Sequence, residues 1–422
     1  MDGNLTLAQA SLQSAKAVVL SYQAALDSAF KSAKKTNSVT VSPETRLDAA
    51  VSALEKYSDP NLLWRGVHPF NVQHGPAAVM ETFYKPLLSA FSALQRRKDI
   101  FLAGFSPEDG EVAQSLASSA SVDTGAGSEG SASSAGSDVG EESVAGSGEG
   151  EGAPEGGRDQ PVWVCSMGHF LGLFDAAFLG IPPTGRLCCV RYAEFSQVGD
   201  GRILQQCVHI DILSIMHQAG VYPLPAPTGA MMPFTPGPQT VDGILKEPQD
   251  ERETEITLEL LERMIADLCR CNKIAEETEN RDQGCPPSLL AETWHEDMLW
   301  YGPAGIGSTG LTIPRYQRQH QMPFRENLCD KSFKGHVARF AEGKYEAWFG
   351  WPNLTNRALG GFMGLPGDRE SEKAAEWRVV DIYRREGDKL AENWVFVDML
   401  HYLKCRGLDV LKRMNELQRL GD

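Results

Sequence analysis

The sequence predicts an α+β protein made of two tandem cone-shaped domains, each a curved, mostly antiparallel sheet wrapped around helices. Three observations carry that prediction. A short motif recurs, Phe178-Leu-Gly-Ile-Pro182 in the first half and Phe362-Met-Gly-Leu-Pro366 in the second. The same order of patterns surrounds both copies, helical periodicity first and β-type runs afterwards. Each half then closes on an aspartate nine residues before a glycine, Asp211 to Gly220 and Asp398 to Gly407.

The elements follow in order. Ala8 to Ala33 is rich in Ala, Ser and Leu and reads as an N-terminal extension helix. With a polar linker at 37–43, it makes residues 1–43 a segment ahead of the first domain. That domain spans 44–225. It opens with an amphipathic helix from Leu47 to Tyr57, a segment around Trp64 and a helix from Pro76 to Phe91. A hairpin follows, Asp99 to Phe105 and Pro161 to Phe174. The second domain, 253–422, repeats this with a helix from Ile256 to Ile274, a segment from Trp294 to Tyr301 and a helix from Ile313 to Asn327. Its hairpin is His336 to Phe340 and Lys344 to Trp351. After the shared motif each copy has one more strand, Leu187 to Tyr192 or Ala375 to Val380. The turns Gly199-Asp-Gly-Arg202 and Gly387-Asp-Lys389 suit antiparallel connections, because their residues tolerate positive φ. The last strand ends at Asp211 or Asp398, and a helix finishes each copy.

Two segments belong to neither pattern. Residues 110–159 are almost entirely Gly, Ser, Ala, Glu and Asp without an aromatic residue. Such a chain buries too little apolar surface to offset its ordering entropy, so a disordered acidic insertion is expected. It falls where the second copy has only Ala341-Glu-Gly343, a hairpin tip that tolerates insertions. Residues 226–252, most of them in the Pro-rich stretch Pro223 to Pro248, read as an inter-domain linker.

Charge and composition narrow the function. The net charge is −16, and residues 111–160 supply −9 of it through ten acidic groups and one arginine. No basic stripe stands out, which excludes nucleic acid as a partner. No apolar run approaches 18 residues, so no membrane span is expected, and Met1-Asp2-Gly3-Asn4 does not open a secretory signal. Nine cysteines, an odd count without a CxxC pair, read as reduced thiols and a cytoplasmic location, with organellar targeting left open. Cys269-x-Cys271 is too tight for a usual zinc site and no HExxH occurs, so neither metal nor cofactor is expected.

The order of elements resembles that of the nuclear transport factor 2 superfamily. The segments Gly180-Ile-Pro-Pro-Thr-Gly185, Asp200-Gly201-Arg202-Ile203 and Asp211 are similar to those of its SnoaL-like polyketide cyclase branch. So are Arg384-Arg-Glu-Gly-Asp-Lys389, Glu392-Asn-Trp394 and Asp398. The resemblance covers both halves. It implies that the strand-end aspartate, here Asp211 and Asp398, takes a proton next to a carbonyl. The branch often carries Trp four residues earlier; Trp394 keeps that feature and Cys207 does not. Sheet-to-sheet packing of the two copies as an intrachain pseudo-dimer, or further pairing as a homodimer, is also implied.

The residues suggest a chemistry of their own. Glu392, Trp394, Phe396 and Asp398 alternate along one strand and share a face. If that face lined the cone, its apolar groups would raise the Asp398 pKa toward neutrality. The competing role for Asp398 and Asp211 is to cap the helix that follows. His320 and His336 are candidate proton donors beside Asp398, and His209 forms a candidate dyad with Asp211. His295, Trp300, Tyr301, Arg378 and Trp394 in the second domain are candidate substrate contacts. His68, His169 and Arg191 are their counterparts in the first. The expected function is a cofactor-free acid/base enzyme, a lyase or dehydratase, isomerase or cyclase acting on a small polar carbonyl compound. The alternatives are a non-catalytic binding or scaffolding pseudo-dimer and a metal-dependent hydrolase. The second copy keeps the aromatic strand, so the principal site is expected there.

Overall fold

The computed structural model describes residues 5–30, 43–106, 160–277 and 285–419. The acidic insertion expected at 110–159, and most of the linker expected at 37–43, lie outside them.

The first copy begins with α1 (Leu7–Phe30) and α2 (Pro43–Tyr57), then β1 (Ser58–Gly66) and β2 (Asn71–His74). Helix α3 follows in three pieces, Pro76–Val79, a π turn Met80–Tyr84 and Lys85–Ala90. Then come β3 (Phe91–Gly104), β4 (Val162–Phe174), β5 (Leu187–Gly199), β6 (Arg202–Ile210) and α4 (Ile212–Gln218). The second copy runs α5 (Glu251–Glu277), α6 (Pro287–Leu290), β7 (Trp294–Tyr301) and β8 (Thr309–Gly310). Helix α7 repeats the three-piece helix as Ile313–Tyr316, a π turn Gln317–Gln321 and Met322–Asn327. It leads to β9 (Leu328–Phe333), β10 (Ala338–Glu342), β11 (Tyr345–Ala358), β12 (Ala375–Glu386) and β13 (Lys389–Val397), then α8 (Met399–Cys405) and α9 (Val410–Arg419).

Two separate sheets result, in the orders β2-β1-β6-β5-β4-β3 and β10-β11-β12-β13-β7-β8, with β9 paired to β11. Neither closes into a barrel. All neighbours are antiparallel except β1 with β6 and β7 with β13. The recurring motif is a turn with the same backbone in each copy. Leu179 (φ 53) and Met363 (φ 54) are both left-handed, as are Gly180 and Gly364 after them. The first strand of each copy ends in a second signature. Trp64 folds over Gly66 and Trp300 over Gly302; a Cβ on either glycine would meet the indole at 2.1 Å.

The N-terminal helix corrects the expectation of an extension. In the order of elements α1 stands where α5 stands in the second copy, and α2 stands where short α6 does. The buried face of α1, including Val19, Tyr22, Leu26 and Phe30, packs into the first copy's core. Its Ala/Ser-rich composition hides this, because small residues blur a helix's apolar stripe.

The two sheets meet face to face. Trp163, Phe195 and Cys207 of the first pack with Phe340, Phe349, Val380, Ile382, Trp394 and Phe396 of the second in one buried cluster. Lys16 on α1 adds a buried ion pair with Glu342 on β10 at 2.5 Å. Each sheet is therefore apolar on both faces, one toward its helices and one toward the other sheet. No helix among the described residues is long and apolar enough to cross a membrane.

Candidate active site

Strand register determines which side chains can share a cavity. In the second copy, Glu346, Tyr383, Asn393 and Trp300 are cross-strand neighbours in one row, and Trp348, Asp381 and Val395 form the next. These residues face the helices. Trp394 and Phe396 alternate with them and point the other way, into the contact between sheets, and Glu392 on that face accepts from Gln239 N of the linker. The face read from the sequence as the cone lining is thus the interface.

The helix-side face encloses a cavity of about 750 Å³. Its walls are aromatic. Trp300 stacks on His320 with ring centroids 3.9 Å apart, His336 lies 4.3 Å from Trp348, and Trp377, Phe324 and Phe362 cover the opposite side. Two carboxyls line the cavity, Glu326 and Asp381, and Asp381, on the middle of β12, is the buried one. Its Oδ1 accepts from Asn393 Nδ2 at 3.0 Å. Burial pushes its pKa up to about 7, against hydrogen bonds from Asn393 and Tyr383 that favour the ionised form. Burial, assisted by Arg325, pushes His320 down to about 3, so its imidazole is neutral at pH 7. Burial does the same to His336, with Arg339 adding to it. Glu346, beside Tyr383 in the next row, is also pushed up to about 7 by burial, although Arg339 Nε donates to it at 2.7 Å. The Pro-rich linker supplies part of the rim: Pro225 to Thr228 line the cavity, and Thr228 Oγ1 donates to the Gln319 carbonyl at 2.6 Å.

The same rows exist in the first copy. Val164, Ser196, Gln206 and Trp64 correspond to Glu346, Tyr383, Asn393 and Trp300, and Ser166, Glu194 and Val208 to Trp348, Asp381 and Val395. Glu194 therefore occupies the place of Asp381. Here the space is filled. Gln23 Nε2 of α1 donates to Glu194 at 2.7 Å, and Arg96 pairs with Glu194 at 3.3 Å and Asp27 at 3.0 Å. The Arg96 guanidinium lies 4.9 Å from the Phe170 ring and 5.2 Å from that of Tyr192. Phe83 packs against Trp64 as His320 packs against Trp300.

The strand-end aspartates are clasps between the copies. Asp398 caps α8 by accepting from His401 N at 3.1 Å. Its Oδ2 accepts from His68 N of the other copy at 2.9 Å and from Arg378 at 3.3 Å. Asp211 caps α4 through Ser214 N at 3.0 Å, accepts from Ala304 N across the interface at 2.8 Å and lies 3.7 Å from Arg191. Burial raises the Asp398 pKa, opposed by Arg378 and the His68 and His401 amides. Every oxygen is committed to the fold, which corrects the acid/base role expected of both.

Of the other sequence candidates, His320, His336 and Trp300 line the cavity. Tyr301 and Trp394 stack on each other in the contact between sheets, 5.5 Å apart. Arg378 lies over Trp351 at 4.3 Å, and Arg191 donates to the carbonyls of Gly302, Tyr301 and Val395. His295 bonds the Glu386 carbonyl at 2.9 Å. His209 is buried beside Trp351, with burial holding its pKa down at about 3, and its ring meets Cys207 rather than Asp211. His68 is half-buried at the interface. His169 faces Asp99 at 3.1 Å and accepts from Thr235 N at 3.3 Å. Among the described residues no group of three or more His, Cys, Asp or Glu side chains is arranged to hold a metal ion.

The residue missed in the sequence is Asp381. It sits in Val379-Val-Asp-Ile382, which reads as an ordinary buried strand. The signal was the lone carboxylate itself in that run, since an unpaired charge does not enter a core without a reason.

The fold and site define a class: paired α+β cones, one filled and one holding a carboxyl in an aromatic cavity. Solved structures similar in fold are NTF2-like and SnoaL-like proteins. An NTF2-like protein from Burkholderia xenovorans LB400 is 17% identical, over 36% of this chain and 95% of its own, with a TM-score of 0.26. A Jannaschia sp. CCS1 protein classed with the SnoaL-like polyketide cyclases is 13% identical, over 51% of this chain and 94% of its own, with a TM-score of 0.26. An NTF2-like protein from Anabaena variabilis ATCC 29413 is 13% identical, over 34% and 90%, with a TM-score of 0.24. No protein-family model matches the sequence, and no curated protein does.

Proposed function

We propose that the second cone is the site of a cofactor-free acid/base enzyme, an isomerase, cyclase or lyase acting on a small carbonyl compound. The observation that carries this reading is Asp381, a carboxyl held near neutrality inside a 750 Å³ aromatic cavity. A base works best when its pKa lies near the working pH. Asp381 takes the proton from the carbon next to the carbonyl, while Asn393 and Tyr383 fix the carboxyl. Neutral His320, stacked on Trp300, passes a proton to or from the ligand oxygen. The aromatic walls hold a flat ligand and exclude water. The first cone, filled around Arg96, supports a structural role for that copy.

The test follows proton exchange. A panel of enolisable ketones and β-keto esters is incubated with the protein in D2O, and loss of the α-proton signal is recorded by NMR. Wild type accelerates exchange of at least one compound. Asp381→Asn lowers that rate about 10²–10⁴-fold, whereas Asp398→Asn keeps it if the protein remains folded. Exchange as fast in Asp381→Asn as in wild type refutes the reading.

A further inference from the structure

A second cleft lies on the first copy, apart from the cavity around Asp381 and backed by Arg96, which fills the first cone. It has a volume of about 670 Å³ and is walled by α1, the β3–β4 pair and the inter-domain linker. The linker is fixed there by its backbone. Phe101 N donates to Gly243 O and Leu245 N to Phe101 O, each at 2.8 Å, which brings Ile244 and Lys246 alongside β3. Further back, Thr235 N donates to His169, and Phe234 stacks on the His169 ring at 4.6 Å and 20°.

Four cations line this cleft, Arg96, Arg97, Lys98 and Lys246, together with one carboxylate, Asp99. Asp27 and Glu194 pair with Arg96, and Asp99, itself in the lining, bonds His169. Among the described residues Arg97 bonds the neutral Gln95 Oε1 at 3.0 Å, and Lys98 bonds the neutral Gln23 Oε1 at 3.2 Å and lies 5.5 Å from the Phe101 ring. Lys98 is half-buried, and burial together with Arg96 lowers its pKa. Among the described residues the cations of this lining outnumber its one carboxylate, Asp99, which is unexpected in a chain of net charge −16. Beside the cations lies an aromatic platform. Phe234 is 53% exposed although a buried histidine supports one face of its ring. Leu20 and Leu171 give an apolar floor.

We propose that this cleft binds a small ligand with a flat ring and several phosphates, the chemistry of a nucleoside triphosphate. The phosphates meet Arg97, Lys98 and Lys246, and the ring lies on Phe234. Three cations suit a polyanion better than a single carboxylate, and a solvent-facing ring suits a stacking partner. The first copy would then be a binding module whose own cone is closed.

Isothermal titration of the full chain tests this, with ATP, inorganic triphosphate and adenosine as separate probes. ATP binds at least about tenfold more tightly than either fragment, and its affinity falls as salt is raised. Arg97→Gln combined with Lys246→Gln, both at exposed positions, weakens ATP about ten- to a hundredfold. Phe234→Ala brings ATP to the affinity of triphosphate. Lys98→Gln repeats the charge test at the half-buried position, and circular dichroism confirms that each variant is folded. No ATP binding, or ATP binding unchanged in the Arg97/Lys246 variant, overturns the proposal. Equal affinity for ATP and triphosphate overturns the assignment of the ring. The cavity around Asp381 is untouched by these variants, so failure here leaves the acid/base reading standing.

Discussion

Asp381→Asn should make the protein more stable at neutral pH while removing its proposed activity. The carboxyl is forced to ionise inside a cavity that favours its neutral form. Burial holds its pKa at about 7 instead of the usual 3.8. Each pKa unit corresponds to about 1.4 kcal/mol, so ionisation costs the folded state up to ~4 kcal/mol, and about 2–4 kcal/mol once water entering the cavity is allowed for. The sign follows from proton binding. A carboxyl with a raised pKa holds its proton in the folded state after the unfolded chain has lost it. Its stabilising contribution is complete below pH ~4 and is lost as the pH rises through 7. Asparagine keeps an oxygen to accept from Asn393 and does not titrate. Urea unfolding, followed by tryptophan fluorescence and circular dichroism between pH 4 and 8, checks this. The two proteins should be equally stable near pH 4, and the variant should be ahead by about 2–4 kcal/mol at pH 8. Other buried carboxyls, Glu346 among them, titrate in both proteins and cancel in the difference. A variant that is less stable at pH 8, or a difference that does not change with pH, would refute the assignment of Asp381 as a carboxyl held near neutrality.

Three other substitutions discriminate among the roles argued above. Asp398→Ala removes a helix cap and leaves Arg378 without its carboxylate, so it should cost about 3–5 kcal/mol of stability by urea unfolding; a loss below about 0.5 kcal/mol would exclude the clasp. His320→Phe should fold as well as wild type, because Phe83 fills the matching place in the first copy, yet it should lose proton exchange; exchange at the wild-type rate would remove His320 from the chemistry. Arg96→Met strands Glu194 and should cost about 3–5 kcal/mol, and adding Glu194→Gln should recover part of it; a double variant no better than the single would mean that the pair does not hold the first core together.

The repeat was legible because turns and helix starts use particular residues. The turns at Leu179-Gly180 and Met363-Gly364, the two Pro-led helices and the strand-end aspartates all left marks in the sequence. What could not be read was which face of each strand points where. Reading a sheet's inner face depends on alternation of apolar with polar residues. Here both faces are buried, so Trp394 and Phe396 against the other sheet look the same as Val395 and Val397 around the cavity. That ambiguity placed Asp398 in the cone and left Asp381 as one polar residue in a strand. The clasps were invisible for another reason. The partners of Asp211 and Asp398 are backbone amides of Ala304 and His68, and an amide carries no side-chain signature.

Those reciprocal amide contacts bear on how the chain is made. Synthesis runs from the N-terminus, so Asp211 emerges before Ala304, and the first sheet emerges before the second sheet that covers its apolar face. At about 5–20 residues per second, the roughly 190 residues between Asp211 and Asp398 take on the order of 10–40 s to add. For the part of that interval before Phe340 and Phe349 are made, Trp163 and Phe195 lack the rings of the second sheet that they pack on. The nascent first half must wait for its cover, and a chaperone that shields this face until residue 398 is made would raise the yield of folded protein.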